Sequence, residues 1–216
     1  MSQQPKQLPL MVWAVVFLVA AILIAGSASL FRSSERKSSD AMPSIGSVPD
    51  FHFTTQEGKT LSRADLLGKV WVADFIFTRC PGPCPIMSSR MAEVCHELTK
   101  AKDVRLVSVS IDPENDTPAV LTEYATRLQA DPKHWIFLTG PKQEIRDFTM
   151  HGMKQAVGTD PSGALIHSTR FLLIDRNGQI RKTRNLDETE LVQKLLMDIG
   201  DLLRETPSIK ASTTNP

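Results

Sequence analysis

The apolar positions of this chain switch between two periods, and the switches mark out a series of elements. Residues 70–77, Val-Trp-Val-Ala-Asp-Phe-Ile-Phe, form a run interrupted only by Asp74. Such a run predicts a strand buried on both faces. Over 85–101 the apolar residues Met87, Met91, Val94, Cys95 and Leu98 recur at helical spacing and give one face of a helix. Residues 104–111 read as a second buried strand through Val104, Leu106, Val107, Val109 and Ile111. Thr117-Pro118 supplies an N-cap and a first-turn proline for a helix running to about residue 130. A short strand follows over 135–138, and Pro141 opens a helix reaching residue 151. Residues 169–175 read as a strand, with Arg176-Asn177-Gly178 as a hairpin turn and 179–182 as the returning strand. A final amphipathic helix covers 186–203, and near the start 51–53 and 59–61 pair as a small hairpin around Gln56-Glu57-Gly58. The order βαβα, then β, α, ββ, α predicts an α/β domain: a central mixed sheet flanked by helices, arranged as in the thioredoxin-like fold.

Upstream the pattern is different. From Gln7 to Phe31 there is no charged residue. About 20 apolar residues span a bilayer core, so 10–31 reads as a transmembrane anchor behind a short tail, 1–9. A cleaved signal peptide is the competing reading, since Ala25-Gly26-Ser27-Ala28-Ser29 offers small residues for cleavage. The apolar stretch is longer than the usual signal core, which favours the anchor. Residues 32–48, rich in serine and charge, read as a flexible tether, 49–204 as the folded domain and 205–216 as a disordered tail. Lys6 precedes the span, while Arg32, Arg36 and Lys37 follow it. Counted alone, these charges would leave the domain in the cytoplasm. An exposed dithiol on a membrane tether suits a task outside it, and the expectation is a domain on the periplasmic or equivalent face.

Composition narrows the function classes. The 216 residues carry a net charge of +1, which gives no support for a nucleic-acid partner. Three cysteines are too few for a disulfide-dense scaffold, and the odd count leaves one thiol over.

The candidate chemistry sits where the first buried strand ends. Cys80-Pro81-Gly82-Pro83-Cys84 lies between that strand and a helix starting near Pro85. A helix N-terminus favours thiolates, so the pair reads as reactive, metal-binding or both. Two intervening residues would be usual for a dithiol oxidoreductase, and here there are three. Two thiolates suit a soft ion such as Cu(I), whereas a structural zinc site would want four ligands. A disulfide that only staples the loop is the plainer alternative. Among the rest, Cys95 reads as a small buried hydrophobe, and Met150, His151 and Met153 read as packing at a helix end rather than as copper ligands. His52, His96 and His134 read as surface residues, and Asp112 and Asp116 as loop and helix-start residues. His167 taken alone reads as a core or rim histidine. A peroxide-reducing enzyme would want an arginine beside its cysteine, for which Arg79 and Arg170 are candidates only by type.

Four blocks resemble the Sco/SenC family: Phe77-Thr78-Arg79-Cys80-Pro81-Gly82-Pro83-Cys84-Pro85, then 108–118, then 135–140, and finally His167-Ser168 with Phe171-Leu172-Leu173-Ile174-Asp175 and Gly178. The resemblance implies a membrane-tethered thioredoxin-like domain holding one copper ion, Cu(I) or Cu(II), through Cys80, Cys84 and His167. It implies a metallochaperone or thiol reductant, with Cys80 and Cys84 as a redox-active pair, for the binuclear copper site of cytochrome c oxidase. The implied partners are the copper-site subunit of that oxidase, other copper chaperones, thioredoxin-like reductants and the membrane. Gly82 and Ile166 stand where the family often carries acidic residues. The alternative function is a membrane-anchored thiol–disulfide oxidoreductase that works without copper.

Overall fold

The computed structural model describes residues 42–159 and 165–205. The predicted anchor at 10–31, most of the tether and nearly all of the tail lie outside the described residues. Among the described residues, no helix is long and apolar enough to cross a membrane.

Strand β4 (Val70–Ile76) is the centre of the fold, and all seven of its residues are buried. It pairs in parallel with β5 (Val104–Ser110), which pairs in parallel with β6 (Trp135–Thr139). On its other side β4 meets β9 (Arg170–Ile174) in antiparallel register, Ala73 opposite Leu172. Strand β10 (Gln179–Asn185) returns along β9, and β1 (Gly46–Ser47) adds to it. At the far edge β2 (His52–Thr55) joins β6 and carries β3 (Thr60–Ser62). The eight-stranded mixed sheet therefore runs β1-β10-β9-β4-β5-β6-β2-β3. A separate hairpin, β7 (Val157–Thr159) with β8 (Leu165–His167), stands apart from it.

The helices are α1 (Arg63–Leu66), α2 (Cys84–Glu97), α3 (Pro118–Arg127), α4 (Lys142–Asp147) and α5 (Leu191–Arg204). Helix α2 turns Met87, Met91 and Val94 inward, all fully buried. Each such side chain contributes about 1.5–3 kcal/mol relative to exposure. Helix α3 starts as the sequence predicts, with the Thr117 hydroxyl accepting from the Val120 N–H and Pro118 in the first turn. Past α4 the chain widens into a π-helical turn, Phe148–Gly152, closed by the Met153 N–H on the Phe148 carbonyl. A side chain at Gly152 would sit 2.5 Å from the Pro49 ring, so this close approach requires glycine.

Several elements differ from expectation. The end of the supposed tether belongs to the fold: β1 pairs with β10, and Val48 is buried. Arg181 ties this entry to the domain's other end, bonding Asp175, Glu205 and the Met42 carbonyl. The β7–β8 hairpin and α1 were not anticipated, and α5 begins five residues later than predicted because Glu190 takes a left-handed turn (φ 56). His134 is buried rather than exposed, its ring held by the Asp131 carboxylate at 2.8 Å.

Asp74 interrupts the apolar run for a reason visible only in three dimensions. It lies opposite Ser108 across the β4–β5 ladder, and the Ser108 hydroxyl donates to it at 2.6 Å. The Trp135 indole N–H in turn donates to Ser108 at 2.9 Å. The second carboxylate oxygen of Asp74 has no partner among the described residues. Burial pushes this carboxyl up from 3.8 to about 7, against the opposing pull of the Ser108 hydrogen bond. The folded protein thus keeps a proton that the unfolded chain releases, and the stabilisation present below pH 4 is lost as pH rises through about 7. The unfolding free energy, measured in urea, is expected to fall by about 1.4 kcal/mol per pH unit across this window through this group. In Asp74→Asn that component of the slope should disappear; an unchanged slope would rule out the buried proton.

Candidate metal centre

The site forms where β4 leaves the sheet. Phe77 to Pro83 make a short loop in which the Cys80 N–H bonds back to the Phe77 carbonyl. Pro83 caps α2, so Cys84 opens the helix with Pro85 behind it. Proline suits that place because its missing N–H would have no helical partner there. Both sulfurs are buried, and all three cysteines of the chain are free thiols.

His167 reaches this loop from the other side of β4. Strand β8 carries it, held across the hairpin by Val157 and by the Ser168 N–H on the Ala156 carbonyl. Its ring packs edge-on against Phe77. The Nδ1 nitrogen lies 2.8 Å from the Ser168 carbonyl and acts as donor, which leaves the Nε2 lone pair as acceptor toward the site. That Nε2 lies 2.9 Å from the Cys84 sulfur. The donor atoms of Cys80, Cys84 and His167 all lie within 4.8 Å of one another, so the three can close on a single ion. They are the one such cluster of histidine, cysteine and acidic side chains among the described residues.

Burial sets the electrostatics. It pushes the Cys84 thiol up, with the neighbouring Cys80 thiol and Asp74 adding to the shift. The hydrogen bond to the Phe77 main chain is the main opposing effect, second in size only to burial. The helix N-terminus does not prevail here, contrary to the expectation of a readily formed thiolate, because desolvation is the larger effect. Burial also lowers the His167 pKa, opposed by its bond to Ser168. Burial therefore favours the neutral forms of Cys84 and His167, the imidazole already in its ligand form.

The remaining candidates separate from the site. Cys95 is buried on α2, and burial raises its pKa. Met153 is core packing, and His151 is exposed on the π-helical turn. Arg79 is exposed and pairs with Asp112 at 3.2 Å. Arg170 is exposed.

Asp112 and Asp116 have a part that the sequence reading did not assign. Asp116 is wholly buried and accepts from the Thr78 N–H at 3.1 Å, the Thr78 hydroxyl at 2.5 Å and the Ser110 hydroxyl at 2.6 Å. With Asp112 on Arg79, the two residues preceding Cys80 are both held by acids from the loop after β5. The topology contained the signal: loops leaving adjacent parallel strands at their C-terminal ends are neighbours.

The SCO1/SenC family model matches residues 40–204. The chain belongs to the SCO1/SenC family. The SCO1 protein homolog of Bacillus subtilis strain 168 is 37% identical over 156 residues, 70% of this chain and 80% of that protein. Among solved structures, BsSco is described as a member of the Sco family of cytochrome c oxidase assembly proteins with a disulfide switch. It is 34% identical with a TM-score of 0.66, covering 75% of this chain and 96% of its own. ScoI of Bradyrhizobium japonicum, solved with copper bound, is 28% identical with a TM-score of 0.63 over 73% of this chain and 99% of its own.

The Asp116 clamp is testable by itself. Asp116→Ala leaves three buried or half-buried donors without an acceptor and should lower stability by roughly 3 kcal/mol in denaturant titration. Alkylation of Cys80 should accelerate at the same time; a variant of native stability and native alkylation rate would show that the clamp does not hold the loop.

Proposed function

We propose that this Sco/SenC chain is a membrane-anchored copper-binding factor for assembly of the binuclear copper site of cytochrome c oxidase. Copper is its cargo, held as one ion per chain by Cys80, Cys84 and His167. The observation that carries this reading is the convergence of two sulfurs and an imidazole nitrogen within 4.8 Å in a fold shared with copper-bound ScoI. Soft thiolates with one imidazole suit Cu(I), and the Nε2 lone pair of His167 supplies the third donor. The kinship with BsSco supports the oxidase as destination.

The raised Cys84 thiol gives the chemistry its direction. Loading requires the thiols to give up their protons, so affinity rises with pH and binding releases protons. Oxidation of Cys80 and Cys84 to a disulfide would remove both sulfur ligands together. Exchange with an external disulfide, which takes the two electrons and two protons and leaves as a dithiol, would thus eject the cargo, and an external dithiol, itself oxidised to a disulfide, would restore the site. The second reading, a thiol–disulfide oxidoreductase independent of copper, draws on this same pair and on the disulfide switch described for BsSco. His167 tells the two apart, because dithiol exchange does not require a third ligand.

Residues 10–31 are proposed to hold the chain in the membrane with the domain outside the cytoplasm. One experiment addresses both parts. Full-length chain, expressed in cells and recovered from membranes, should carry about one copper per chain when reduced, as three ligands for one soft ion require. The domain should be open to protease added outside the inner membrane. Cys80→Ala, Cys84→Ala and His167→Ala should each lower the copper content sharply. Native copper content in His167→Ala would remove His167 from the site, a copper-free wild-type chain would favour the oxidoreductase reading, and a protease-protected domain would reverse the topology.

A further inference from the structure

Five large hydrophobic side chains stand exposed among the described residues, and two of them lie within two residues of Cys84 or His167 in the sequence. Ile86, 54% exposed, follows Cys84 by two residues on α2, and Ile166, 52% exposed, directly precedes His167 on β8. The contact between Cys84 and His167 brings their two elements together. Isolated apolar residues on a surface need no explanation, but a pair so near two ligands in the chain does.

A groove of about 550 Å³ opens beside the hairpin. Val157, Ile166 and His167 line it together with Lys154 and Arg170. Both cations are exposed, and neither has an ion pair among the described residues. Among the described residues, no carboxylate lines the groove. His167, the partly exposed member of the ligand trio, thus forms part of its wall, while both sulfurs lie below the surface.

That arrangement restricts how cargo can leave. An incoming thiol or imidazole has to come within bonding distance of sulfurs that solvent scarcely reaches. His167 both lines this groove and touches Cys84, so the groove offers such a group a way to the sulfurs. A segment seated there would cover Ile166 and Val157 and meet two positive charges that have no ion pair among the described residues. We propose that the groove is the docking site for the copper-exchanging partner, which enters as a polypeptide segment bearing acidic side chains beside apolar ones. The cations steer and orient the encounter, and the apolar wall holds the segment against the site. This inference rests on the exchange role proposed above.

The test uses the full-length chain in mild detergent, with the purified copper-site subunit of the oxidase in its copper-free form as probe. Binding is measured at low and at high salt, on copper-loaded and copper-free chain. Wild-type binding should weaken with salt. A Lys154→Glu, Arg170→Glu double variant should bind about tenfold or more weakly at low salt and lose most of the salt dependence. Its copper content should stay unchanged. Ile166→Ser should weaken binding at both salt concentrations, since it removes apolar area rather than charge. A double variant that binds like wild type with the same salt slope overturns the proposal, as does a wild-type chain that does not bind the subunit at all. A chain that docks the subunit yet holds no copper upholds the groove and removes the metal role.

Discussion

Everything at the metal centre depends on where β4 lies in the sheet. This strand is buried along its whole length between β5 and β9. Its C-terminal end delivers the cysteine loop. On one side the parallel partner β5 ends at the same level and supplies Asp112 and Asp116, which grip Arg79 and Thr78. On the other side the antiparallel partner β9 begins at that level, and the residues leading into it bring His167 to Cys84. A dithiol loop, its clamp and its third donor therefore follow from three adjacent strands with two directions. Slipping β4 by one residue would turn its side chains to opposite faces and separate all three.

Burial is what the site does with that position. Water solvates a thiolate or an imidazolium better than the enclosed loop does, so enclosure disfavours both charged forms. Burial holds Cys84 toward its thiol and His167 toward its free base. A soft cation reverses the balance because it compensates the charge that burial opposes. Asp74 extends the same physics below the loop, a carboxyl kept protonated by the core around it.

Much of this was legible in the sequence where a single physical cause governs a segment. The apolar run of β4, the helical spacing of Met87, Met91 and Val94, and the proline-started helices predicted their elements because burial and capping are local. The dithiol was evident from its place between strand and helix. His167 was not: one histidine after two apolar residues looks like any rim histidine, and only the family resemblance singled it out. The hairpin that carries it was missed because Val157-Gly158-Thr159 is too short and too weak a strand to show a period. Asp116 and Asp74 went unread for a related reason, since their partners Thr78 and Ser108 lie 38 and 34 residues away. His134 was misplaced because its burial depends on a local bond to Asp131 that hydropathy does not register.

The central claim is that two sulfurs and one imidazole nitrogen converge to hold a single soft ion. X-ray absorption at the copper edge, on reduced full-length chain loaded with Cu(I), reads that ligand set directly. The account predicts a first shell of two sulfurs and one nitrogen, the nitrogen lost in His167→Ala while both sulfurs remain. A shell of sulfur alone in the wild-type chain, or a nitrogen that survives His167→Ala, would contradict it.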